Sequence, residues 1–223
     1  IKRHNRAIYL LAILLVALIT YCELNKLSSF LPSYLKYIEK LTYNGYVSTF
    51  LFVVVMFMGV MSRNMSLTKH FMKIRAELAI VASLLIVPHI YVHGLKLIMI
   101  LMSGKHLTTN RIIYSIAGVL AVVIMIPLFV TSFNFAKRKL KGRMWKKIQR
   151  WSYMFYGLIY VHILFAYLNS KNINMKNVII LNIVFICYTV LKLIKVFNAS
   201  SSLYSCIPIF IVSYSIQNPA TAR

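Results

Sequence analysis

The sequence predicts an all-α integral membrane protein, a bundle of six transmembrane helices with both termini in the cytoplasm, on three observations. Of 223 residues, 60% are hydrophobic and 13% charged, against roughly a quarter charged in an average soluble domain. The charges divide into 26 Lys and Arg against 3 Asp and Glu, a formal net charge of +23 in a chain of mean hydropathy +0.75. Those basic residues stand between long apolar runs, where a polytopic protein carries them in its loops. A nucleic-acid-binding domain needs a polar fold with a basic face, so no nucleic-acid partner is expected. A disordered chain is poor in the aromatic residues abundant here, 15 Tyr and 13 Phe.

A span needs about 20 mostly apolar residues. The first run, residues 7–22, follows Lys2, Arg3 and Arg6; no small-x-small cleavage site comes after it, so it reads as a retained helix and not a signal peptide. The others are residues 41–61, 76–102, 111–135, 151–168 and 177–197, each closed by charge or turn residues. With the amino terminus inside, 18 Lys and Arg fall on the inner side and 8 on the outer, which orients the bundle and places it in the cell inner (plasma) membrane. Glu23 and Glu39 then fall in the first outer loop, and Glu77 opens the third span beside Arg75. Residues 1–198 make the transmembrane domain. The remainder, 199–223, starts Ser-rich and continues into an apolar run too short to span, interrupted by Pro208, which suits the membrane interface.

The largest basic block, residues 137–150, has eight Lys and Arg and no acid. It reads as a positive-inside determinant resting on anionic lipid, at roughly 1 kcal/mol per basic side chain; docking of an acidic soluble partner or anionic cofactor is the competing reading. The chain has no G-x-G-x-x-G fingerprint and no P-loop, so a nucleotide or flavin module is expected on another polypeptide. Cys22, Cys187 and Cys206 show no ligand spacing and read as small apolar packers.

Ionisable or metal-binding side chains inside spans are functional candidates by default. His4 and His70 fall in inner segments and His106 in an outer loop, whereas His89, His93 and His162 fall within spans. At 1.5 Å per residue, His89 lies about 20 Å beyond residue 76 and His162 about 17 Å beyond residue 151. Both helices run from inside to outside, so the two imidazoles reach one depth. Two His on different helices at one depth suit axial coordination of a haem iron, with each second ring nitrogen needing a carbonyl or polar partner. For a single His, an inter-helix hydrogen bond is the competing explanation. Pro88 frees the Leu84 carbonyl and can kink the helix just before the ligand. His93, one turn beyond His89, has three readings: a hydrogen bond to a haem propionate or quinone, replacement of His89 as ligand, or local polarity. The fifth span is crowded with aromatics, of which Tyr156 and Tyr160 can line a macrocycle.

Thr131-Ser132, Lys137-Arg138-Lys139-Leu140, Trp145, Lys146-Lys147-Ile148-Gln149, Tyr153 and His162 follow an order and spacing that resembles the ferric-reductase-like transmembrane superfamily. Lys73-Ile74-Arg75 through Pro88-His89 is similar to the family's upstream pattern, so the resemblance covers about residues 72–167. It is nearest to the small bacterial branch of MsrQ or YedZ type, the haem-binding membrane subunits of the methionine sulfoxide reductase system. The resemblance implies b-type haem held by His89 and His162, and electron passage across the membrane to a partner. Where that branch has the His of W-x-x-L-H, this chain has Gln149, a poor iron ligand, which leaves one haem. Arg75 occupies the matching inner depth. Arg75 and Gln149 together offer a site for an anionic or carbonyl-bearing electron donor such as FMN or a quinone, with structural polarity as the alternative.

The expected function is that of an electron-transfer subunit of an oxidoreductase, passing electrons from a cytoplasmic-side flavin/reductase or quinol donor to an outer, soluble or extracytoplasmic reductase. One alternative is a ferric or other metal reductase acting directly on outer-side substrate. Another, from a different class, is a haem-free transporter or scaffold subunit.

Overall fold

The computed structural model describes residues 5–25, 32–61, 66–104, 106–170 and 173–217, without the side chains of 5, 6, 23, 24, 67 and 199–217. Lys2, Arg3, His4, Lys26, Arg63, Lys105, Lys171 and Arg223 therefore lie outside the described residues. The described elements are all α-helices: α1 (Asn5–Leu24), α2 (Ser33–Tyr43), α3 (Tyr46–Val60), α4 (Ser66–Leu85), α5 (Val87–Met102), α6 (Thr109–Ser132), α7 (Asn134–Lys139), α8 (Gly142–Gln149), α9 (Trp151–Leu168) and α10 (Met175–Gln217). The chain divides into two compact units, residues 1–181 and 182–223. The first contains α1 to α9 with the start of α10; the second consists of the rest of α10 and the residues after it.

Four stretches among the described residues are long and apolar enough to cross a membrane: Thr68–Met102, Thr109–Ser132, Gly142–Leu168 and Met175–Asn198. A fifth arises if α2 and α3, bent by 60° at their junction, count as one span, while Ala7–Cys22 is a shorter apolar helix. The difference from six full spans has local causes. The second predicted span is broken at Asn44-Gly45, where Gly45 takes φ +80°, a left-handed conformation open to glycine. That leaves α3 only 15 residues long. Upstream, α2 is an amphipathic helix that buries Glu39 and Thr42, so Glu39 is packed within the protein rather than carried in an outer loop.

The third predicted span becomes α4 and α5. Ile86 interrupts them, and buried Pro88 sits in the first turn of α5, where its missing N–H is least costly. The hydrogen bonds from Ile86 N to Ala82 O and from Ile90 N to Ile86 O carry the ladder across the break at 3.2 and 3.1 Å. α4 also extends ten residues nearer the amino terminus than the apolar run, because Ser66–Arg75 is polar yet helical. The fifth predicted span coincides with α9.

Inside the first unit, α3, α4, α6 and α9 meet in a core of Phe52, Ala82, Ala121, Ile124 and Phe155. Phe52 and Phe155 pack edge to face with ring centres 4.9 Å apart, a geometry worth about 0.5–1.5 kcal/mol beyond area burial. Ser48 and Ala82 are completely buried, and the Ser48 hydroxyl donates to the Ala82 carbonyl at 2.6 Å. Small residues of this kind let helix backbones approach closely, which lipid-embedded packing relies on. The outward faces of α1 and α6 are apolar too, with Leu10, Leu11, Leu14, Ile116 and Val123 exposed, the surface expected where lipid is the solvent.

The basic segment between α6 and α9 folds as α7 and α8. Its eight Lys and Arg are all exposed. Trp145 Nε1 donates to the Thr131 carbonyl at 3.0 Å, and Gln149 Nε2 donates to the Thr131 hydroxyl at 2.9 Å, so α8 is tied to the end of α6. Lys137 lies over the Trp145 ring, 5.0 Å from its centre.

Candidate cofactor site

His89 stands in the first turn of α5, immediately after Pro88, and His162 two-thirds of the way along α9. The fold brings them together: their ring centres are 6.0 Å apart and their planes nearly perpendicular at 87°. Two imidazoles that share one metal ion need a bond of about 2.0–2.1 Å on each side, which puts their ring centres about 6 Å apart. The observed separation meets that requirement.

Each ring is held from behind by a backbone carbonyl. His162 Nδ1 is bonded to the Tyr114 carbonyl on α6 at 2.8 Å, and His89 Nδ1 to the Tyr43 carbonyl at the end of α2 at 3.2 Å. A carbonyl oxygen only accepts, so in a neutral imidazole the proton sits on Nδ1 and Nε2 keeps its lone pair. That is the tautomer a metal-ligating imidazole takes when its other ring N–H donates to a carbonyl behind it. The Tyr114 ring also packs edge-on against His162, centres 5.8 Å apart.

His93 shares a face of α5 with His89, ring centres 4.6 Å apart. It stacks on the Tyr43 ring at 6.3 Å with 14° between planes, and is exposed. Among the described residues no group of three or more His, Cys, Asp or Glu is placed to hold a metal ion. Two imidazoles suit a metal whose remaining ligands come from a macrocycle.

The other predicted residues take separate partners. Arg75 on α4 points at α3, with Nε donating to the Val55 carbonyl at 3.2 Å. Gln149 turns to α6 through Thr131, whose own hydroxyl donates to Pro127 O at 2.7 Å. His70 bonds to Ser66 O at 3.0 Å on an exposed surface, and His106 is exposed. Tyr156 is buried beside the core residue Phe155, and Tyr160 is half-buried. The partners that orient the two histidines, the carbonyls of Tyr43 and Tyr114, were not singled out from the sequence, because a backbone acceptor leaves no mark on residue type.

A multi-pass helical membrane protein with two neighbouring imidazoles between its helices is the class these features define. Residues 44–161 match the family described as ferric reductase like transmembrane component. The chain belongs to that family, whose general role is electron transfer in membranes. An uncharacterised protein of Treponema pallidum (strain Nichols) is 37% identical over 124 residues, 55% of this chain and 34% of that protein. The chain thus spans about a third of the length of the curated relative it matches. No solved structure matches it.

Proposed function

We propose that the protein is a haem b membrane subunit that carries electrons across the bilayer, with His89 and His162 as the axial ligands. The observation that supports this reading best is the neighbouring pair of imidazoles on α5 and α9, ring centres 6.0 Å apart, each with Nδ1 bonded to a backbone carbonyl. Haem supplies one-electron iron chemistry when bound; the protein supplies ligands, orientation and a dry site. The Tyr43 carbonyl holds His89 at the start of α5, the Tyr114 carbonyl fixes His162, and the Phe52–Phe155 core packs the neighbouring helices. His93, exposed beside His89, provides polarity at the outer edge of the site.

In this reading the bundle has six spans, α1 and the bent α2–α3 pair each serving as one, and both termini face the cytoplasm. The exposed cations of α7 and α8 then rest on anionic inner-leaflet lipid. The donor is an inner-side flavin/reductase or a quinol, and the acceptor an outer reductase, as in the methionine sulfoxide reductase branch. The inner second haem of that branch is absent in this reading because Gln149 replaces the ligand and hydrogen-bonds to Thr131. Reconstitution into sealed vesicles tests the function: dithionite outside should reduce ferricyanide trapped inside only when haem-loaded protein is present. Equal reduction by haem-free protein would contradict transmembrane electron transfer.

A further inference from the structure

The structure assigns to Gly45 and Gly118 a positioning role for the two histidines: each clears the space that lets an imidazole reach a helix carbonyl. This rests on the reading of His89 and His162 as ligands and deepens it. The Tyr114 carbonyl lies inside α6, where the amide four residues on, that of Gly118, is its helical donor. His162 Nδ1 reaches the same oxygen at 2.8 Å. A Cβ on residue 118 would stand 2.8 Å from Nδ1 and 3.0 Å from Cε1 of His162, so the ring would have to swing off the carbonyl.

The His89 side solves the same problem differently. The Tyr43 carbonyl belongs to the last turn of α2, where carbonyls lack a partner in their own helix. At the break, Asn44 N returns to Lys40 O and Gly45 N to Thr42 O, and the turn leaves the Tyr43 oxygen to His89. Gly45 makes this possible through φ +80° and through its missing side chain, because a Cβ would lie 3.0 Å from Ile86 Cδ1 and 3.3 Å from His89 Cγ and Nδ1. The crowding is selective. A Cβ on Gly94 or Gly157 would meet nothing within 4 Å, and one on Gly59 would make ordinary contact with Arg75.

Nitrogen NMR of the full-length, haem-free protein labelled with 15N-histidine tests the assignment without requiring cofactor. Both His89 and His162 should carry the ring proton on Nδ1; Gly118→Ala should abolish that signature for His162, Gly45→Ala for His89, and Gly157→Ala for neither. A wild-type His162 protonated on Nε2, or an unchanged ring in Gly118→Ala, would overturn the proposal. If Gly118→Ala does not fold, adding His162→Ala should restore folding, since the ring is what the new methyl strikes; no rescue also overturns it. With haem, Gly118→Ala should bind about 10–100-fold more weakly than wild type, the usual cost of losing an outer-shell partner. A wild type that binds no haem defeats the ligand reading alone, while normal haem affinity in Gly118→Ala defeats the glycine role alone.

Discussion

The α4–α5 and α8–α9 stretches each carry a histidine and, 14 and 13 residues earlier, a second polar side chain, and the two levels are used in opposite ways. At one, the His89 and His162 rings lie 6.0 Å apart and nearly perpendicular, each with Nδ1 bonded to a backbone carbonyl. At the other, Arg75 and Gln149 are turned to different neighbours, Arg75 to the α3 backbone and Gln149 to Thr131 on α6. Polar groups in a membrane bundle are satisfied by neighbouring helices. What distinguishes a ligand from such a strut is a lone pair left over after that bond is made. Each imidazole keeps a nitrogen lone pair, whereas the Arg75 guanidinium carries only donors and Gln149, with Nε2 donating to Thr131, offers only an amide oxygen, a poor iron ligand.

The largest effect should come from breaking the histidine level. His89→Ala and His162→Ala should each abolish the low-spin haem spectrum of the purified protein; low-spin haem surviving in both would show that neither is a ligand. Next in size is the strut level. Thr131→Val removes the acceptor of the half-buried Gln149 and should lower stability by about 0.5–1.5 kcal/mol, the net worth of a typical hydrogen bond. Thermal unfolding reads this, and the haem absorbance should not change; haem loss in Thr131→Val would show the two levels to be one site. His93→Ala should have the smallest effect. It should keep low-spin haem and shift the midpoint potential by less than about 60 mV, a tenfold change in a one-electron equilibrium. Loss of low-spin haem in His93→Ala, with retention in His89→Ala, would move the ligand one turn along α5.

Much of the site was legible in the sequence because helices convert residue number into depth. Counting 1.5 Å per residue from the span starts placed His89 and His162 level, and the fold sets their rings side by side. Pro88 signalled a break, which falls two residues earlier, at Ile86. What counting could not supply depends on partners distant in the chain. The Gln149 bond to Thr131 crosses 18 residues and the His162 bond to Tyr114 crosses 48. Gly118 did leave a signal, since an isolated glycine inside a helix costs roughly 1 kcal/mol against alanine and often marks a close approach. Only the fold shows that His162 is what approaches. The bend at Asn44-Gly45 was hidden because hydropathy runs on across it, and Glu39 went inside because α2 buries that face.

Whether α5 and α9 hold a single haem between His89 and His162 is read from the dithionite-reduced minus oxidised spectrum of the wild-type protein expressed with ample haem, quantified against protein. A low-spin b-type spectrum at about one haem per chain is the expected result. A protein that is folded and pure yet shows no b-type signal would contradict it.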